Sequence, residues 1–180
     1  MNRRQFIQRS LLGTGALAAA GGGLWLSSEQ VSREQLSMEL ALAKLDSLQP
    51  QQLSATGDWN LFQIFSHCAQ SIEYSLSGFP EHKSPVFKHT LGKAAFAVFS
   101  ARGEMAHSLS EPIPGAPTIA AQGEVNSAIR RFRQAMLTFQ AHQGPLAPHF
   151  AYGELSKADY EVAHVMHFYN HLEEVQGAGA

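Results

Sequence analysis

His167 and His171 stand four residues apart near the C-terminal end of the chain, with His164 just ahead of them. On a helix, a spacing of four puts two side chains on one face with Cβ atoms ~5–6 Å apart. Two neutral imidazoles so placed can share one divalent ion, the geometry of the zincin His-x-x-x-His motif. His164 with His167 is the competing pair, and His164 with His171 spans two turns. Two imidazoles bind a metal weakly, so a third ligand is needed. His67, in the middle of another predicted helix, is the best candidate. Glu73 and Glu174 are the carboxylate alternatives, and Glu174 could instead orient His171 from behind.

Five helical segments must position these residues. The first spans about 32–48, with Leu36, Leu40, Leu45 and Leu48 at helical spacing. The second spans about 58–76, capped by Asp58, with a stripe of Leu61, Ile64, Phe65, Cys68, Ile72 and Leu76. The third spans about 85–100. The run Glu111-Pro-Ile-Pro-Gly-Ala-Pro117 cannot be regular helix, because proline removes a donor and fixes φ. The fourth spans about 123–142. The fifth starts after Ser156, a predicted N-cap with Asp159 three residues on, and runs to about Val175. No convincing strand is predicted. The pattern is all-α: a four-helix bundle with an extra helix in a long crossover.

A helical wheel places His67 ~130° from the apolar stripe of its helix. Its face carries Asn60, Gln63, Gln70, Ser71 and Tyr74 and no charge. Solvated helix faces usually carry Lys or Glu, so this strip suits a groove covered by the crossover or by a second copy of the chain. Tyr74 shares the face and could donate a hydrogen bond, although a packing role is the simpler reading. Cys68 points ~100° away and reads as a buried core thiol. Arg130, Arg131 and Arg133 read as a solvated face. His82, His89, His107, His142 and His149 have no shared spacing and receive no role.

The first 28 residues read as an address. Arg3-Arg4 precedes Phe6-Ile7, and Arg9 is the last charge before Glu29. A basic start followed by a moderately apolar, Gly/Ala-rich stretch resembles a twin-arginine (Tat) export signal. Ala18-Ala19-Ala20 offers a cleavage site, yet 19 uncharged residues approach the ~20 that span a bilayer, so an N-terminal anchor is the alternative. The expected location is the periplasm or cell envelope, with the export machinery as a partner. The whole chain of 180 residues carries −2. Arg3, Arg4 and Arg9 leave with the signal and no acid does, so 10 basic and 15 acidic residues remain, a charge of −5. That charge excludes a broad nucleic-acid surface. One cysteine excludes internal disulfides and cysteine-only metal clusters.

The order of these features resembles the DinB-like superfamily of bacterial four-helix bundles. The stretch from His67 through Phe79-Pro80 is similar to its uncharacterised DUF1569 family. The resemblance covers roughly Ser32 to Val175, within an expected bundle domain of 32–176. It implies one histidine on the second helix and a His-x-x-x-His pair on the last, here His67, His167 and His171, around zinc or nickel. Some superfamily members are metal-dependent transferases or isomerases that use small thiols, which implies a small-molecule or thiol substrate. Three protein ligands would leave a fourth position open, the arrangement of catalytic zinc. The expectation is a metal-dependent transferase or hydrolase, with no catalytic side chain assigned. The alternative is a non-catalytic ligand-binding or homodimerisation module of the envelope.

Overall fold

The computed structural model describes residues 36–177. The expected export signal and residues 32–35 lie outside that range. The described chain is mainly α-helical. Helix α1 is Met38–Ser47, capped by Ser37, whose hydroxyl accepts from the Leu40 amide at 3.2 Å. Helix α2 is Leu61–Ser77. A helical segment, α3, runs from Pro85–Phe87 through a π-helical turn, Lys88–Gly92, into Lys93–Arg102. Helices α4, Val125–Ala141, and α5, Lys157–Leu172, complete the set.

Three boundaries differ from the sequence reading. Asn60, not Asp58, caps α2, because its side chain accepts from Gln63 N while Gln63 returns a bond to Asn60 N. This reciprocal pair is a capping box, which a carboxylate two residues earlier cannot form. Helix α5 stops at Leu172 rather than Val175. The chain then turns, and Val175–Gly177 (β2) pairs antiparallel with Leu53–Ala55 (β1), Ala55 facing Val175. The expectation of no strand is therefore corrected: a ladder of three residues a side is too short to leave an alternating pattern. Helix α1 begins at Met38, later than expected, where the Ser37 cap fixes its start.

The core joins α2, α4 and α5. Phe65 of α2 lies 6.5 Å from Phe132 of α4, and Phe132 lies edge-on to Phe168 of α5 at 5.0 Å. Each such buried aromatic stabilises the fold by about 1.5–3 kcal/mol. Helix α2 is enclosed on two sides, since Ser66, His67, Ser71 and Ser75 are buried as well as its apolar stripe. The crossover from Gly103 to Glu124 supplies part of that cover, anchored by buried Met105 and Ile113. Asn60 Nδ2 also donates to the Ala121 carbonyl at 2.7 Å, tying the end of the crossover to the start of α2. Among the described residues, no helix is long and apolar enough to cross a membrane.

Candidate metal centre

The caps set the position of the candidate ligands along their helices. With α2 starting at Asn60, His67 lies two turns in. With Ser156 capping α5, His167 and His171 occupy its last two turns, on the side facing α2. The three rings converge through the same atom. His67 Nε2 lies 3.1 Å from His167 Nε2, and His171 Nε2 lies 3.2 Å from it. Ligand atoms of all three residues fall within 4.8 Å of one another, so the group could hold a metal ion. Nitrogens bound at 2.0–2.1 Å in a tetrahedral arrangement would stand about 3.3 Å apart. Both Nε2 separations to His167 are close to that value.

Burial keeps these imidazoles neutral, the form that donates a lone pair to a metal. His67 is pushed down to about 3, first by burial and then by the nearby His107. His171 is pushed down to about 2, by burial and by His67 and His107. His167 is held well below 6.5, by burial first and then by its histidine neighbours. Hydrogen bonding favours the same assignment. At most one proton fits between any two facing Nε2 atoms, and no carboxylate joins the group to accept one. The Nδ1 atoms of His67 and His171 are buried without a hydrogen-bond partner. Their outer surroundings are aromatic: the Trp59 ring stacks parallel to His171 at 6.2 Å and meets His67 edge-on at 4.9 Å.

The chain matches the model of the family described as "Protein of unknown function (DUF1569)" over residues 28–178. It belongs to the DUF1569 family. No curated protein and no solved structure matches it. In this DUF1569 domain, the site must therefore be read from its own geometry.

The other residues singled out in the sequence lie away from the convergence point. His164 is buried one turn before His167, and its Nε2 meets Ser75 Oγ at 3.1 Å. Ser75 spends its one proton on the Ile72 carbonyl at 2.6 Å, so His164 must be the donor to Ser75. The ring then stacks on Tyr160 and meets Phe139 edge-on, as a core residue does. Glu73 is held by Arg131 through two bonds of 2.8 and 2.6 Å on the exposed surface. Glu174 rests its carboxylate against Gly57 and bonds to no histidine. Tyr74 packs on Phe79 at 5.8 Å. Cys68 is buried, and burial pushes its thiol far up. Arg133 pairs with Asp46, so Arg131 and Arg133 of the basic cluster on α4 are both held in surface ion pairs.

Two histidines without spacing signals prove to be close by. His107 comes from the crossover, with its ring 5.0 Å from His167 and 5.3 Å from His171. His149 is buried in the loop before α5, where its Nδ1 accepts from the amides of Ala151 and Tyr152 at 3.1 Å each. A cavity of about 320 Å³ connects these groups. His67, His107, His149, His164 and His167 all contribute to its wall. Most of the remaining wall is apolar, including Phe87, Phe99, Met105, Ile113 and Phe150. Gly92, at the end of the π-helical turn, permits the close approach of α3, since a Cβ there would run into the Ala151 carbonyl.

Proposed function

We propose that this DUF1569 domain is a DinB-like four-helix bundle that binds one divalent metal, zinc or nickel, through His67, His167 and His171. We further propose that it works in the cell envelope after twin-arginine export, as a metal-dependent transferase or hydrolase. The observation that carries the reading is the meeting of three neutral imidazoles through Nε2 at 3.1 and 3.2 Å, beside a cavity. A metal held by three protein ligands acts as a Lewis acid on whatever occupies its remaining position.

The chain's own residues supply the rest. The triad would hold an ion rigidly beside the cavity, because its side chains come from two packed helices rather than from loops. Trp59 and the crossover limit water at the centre. Apolar walls suit a small organic substrate, with the polar histidine edges to orient it. His149 has its Nδ1 occupied by two backbone amides, so its proton sits on Nε2 and can be donated to a substrate oxygen or nitrogen.

Metal analysis of the full chain, purified without a histidine tag, tests the reading. About one ion per chain is expected, lost in His67→Ala, His167→Ala and His171→Ala. Metal retained in all three variants would overturn the triad.

A further inference from the structure

His107 reaches the triad from the crossover loop, and a backbone contact sets its tautomer. Its Nδ1 lies 2.8 Å from the Ser108 carbonyl oxygen. A carbonyl can only accept, so Nδ1 carries the hydrogen and Nε2 of the neutral ring carries a lone pair. A histidine whose Nδ1–H is bound to a backbone carbonyl is the usual form of a ligand through Nε2. Its ring lies 5.0 and 5.3 Å from those of His167 and His171. The three triad rings lie 4.7 to 5.0 Å from one another. His107 is thus a ring neighbour of two of them, while its ring nitrogens stand outside the group whose ligand atoms all lie within 4.8 Å of one another.

The loop that carries it is anchored on both sides of an exposed tip. Met105 and Ile113 are buried on either side, at 7% and 5% exposure. His107 itself is exposed and lines the same cavity as His67 and His167. A short movement of the tip changes the distance to the triad without disturbing the core.

We propose that His107 is a detachable fourth ligand, which moves in to close a metal centre held by the triad and gives up its place to a ligand arriving through the cavity. This rests on the triad reading above. The exchange is a substitution with no redox change: neutral imidazole leaves with its electron pair, and the arriving group donates a pair to the same position. Three neutral ligands leave the charge of a dication unbalanced. The arriving group is therefore an anionic donor on a small, largely apolar body that fits the walls.

Cobalt substitution of the full chain tests this. The metal-free protein is titrated with Co²⁺, and the visible bands are compared for wild type and His107→Ala. His107 is exposed, so the substitution spares the core, and far-UV circular dichroism checks that it does. Wild type should show the intense bands of four-coordinate cobalt with nitrogen ligands. His107→Ala should still bind one Co²⁺, with weaker, shifted bands, and should release it to a chelator at least about tenfold faster. Added imidazole should restore the wild-type spectrum in the variant, because the free base fills the vacated position. Identical spectra and release rates for the two proteins would overturn the role of His107 while leaving the triad standing. Failure of wild type to bind Co²⁺ at all would remove the triad, and this inference with it.

Discussion

Acid should unfold the metal-free domain in a narrow range near pH 5, and the buried histidines set the size of the effect. His149 and His164, neither of them a triad member, are both pushed down to about 3 from an ordinary value of 6.5, mainly by burial. His67 and His171 are depressed to about 3 and about 2. A folded value below the unfolded one means that the unfolded chain takes up protons that the folded chain excludes. The stability tied to each group is therefore fully present above pH 6.5 and is lost as pH falls toward 3. Between pH 7.5 and 5, one such histidine removes about 2 kcal/mol, and four remove about 8 kcal/mol, comparable with the whole stability of a domain, about 5–15 kcal/mol. Urea unfolding followed by circular dichroism, at pH 7.5, 6.5, 5.5 and 5.0, reads this directly. The midpoint should fall steeply below pH 6.5. Zinc should hold it up until the metal is released, since protons and metal compete for the same lone pairs. A midpoint that stays flat from pH 7.5 to 5.0 in metal-free protein would refute the claim that these imidazoles are buried and neutral.

Four further outcomes follow from particular contacts. Gly92→Ala should destabilise the fold by about 1–3 kcal/mol in urea unfolding, although alanine normally favours helix, because its Cβ meets the Ala151 carbonyl. Asn60→Ala should cost about 1 kcal/mol or more by the same measurement, from loss of the α2 cap and of the tie to Ala121. His164→Ala should keep one metal per chain by elemental analysis while lowering thermal stability, since His164 bonds Ser75 in the core and not the triad. Cys68 should resist a thiol-disulfide reagent in the native protein and react only in urea, because its thiol is buried and neutral.

The triad residues were legible in the sequence because two of them share a helix at a spacing of four and the third lies on another long helix. Ser156 and Asp159 also announced the start of α5, and their bonds are present at 3.1 and 2.7 Å. The wheel reading of His67 was incomplete for a physical reason. It assumed one core face, whereas α2 packs its apolar stripe on α4 and its uncharged face toward α5 and the crossover. The lack of charge on that face was the useful signal. His107 left no such trace. It lies in an irregular loop, where no periodicity relates it to α5, and only the folded crossover brings it near His167. The same holds for β1 and β2, whose pairing joins segments more than a hundred residues apart.

The charge of the centre decides what it can do if it holds a dication. Among the described residues, the only group that gathers metal-binding atoms is the three histidines. The two acidic residues considered as ligands lie elsewhere, Glu73 bound to Arg131 and Glu174 against Gly57. No carboxylate therefore backs the Nδ1 atoms of His67 and His171, and nothing in the ligand set offsets the positive charge. In metal sites where carboxylates orient the histidines, they raise the basicity of the ligands and moderate the metal. Here the nearest aromatic neighbour is Trp59, which stacks on His171 and meets His67 edge-on, and it offers no charge to the centre. A metal so held keeps most of its pull on the remaining ligand, in a setting where low polarity strengthens that pull. A dication in such a centre would favour binding an anion over being stored, and the proposed transferase or hydrolase activity rests on that charge balance.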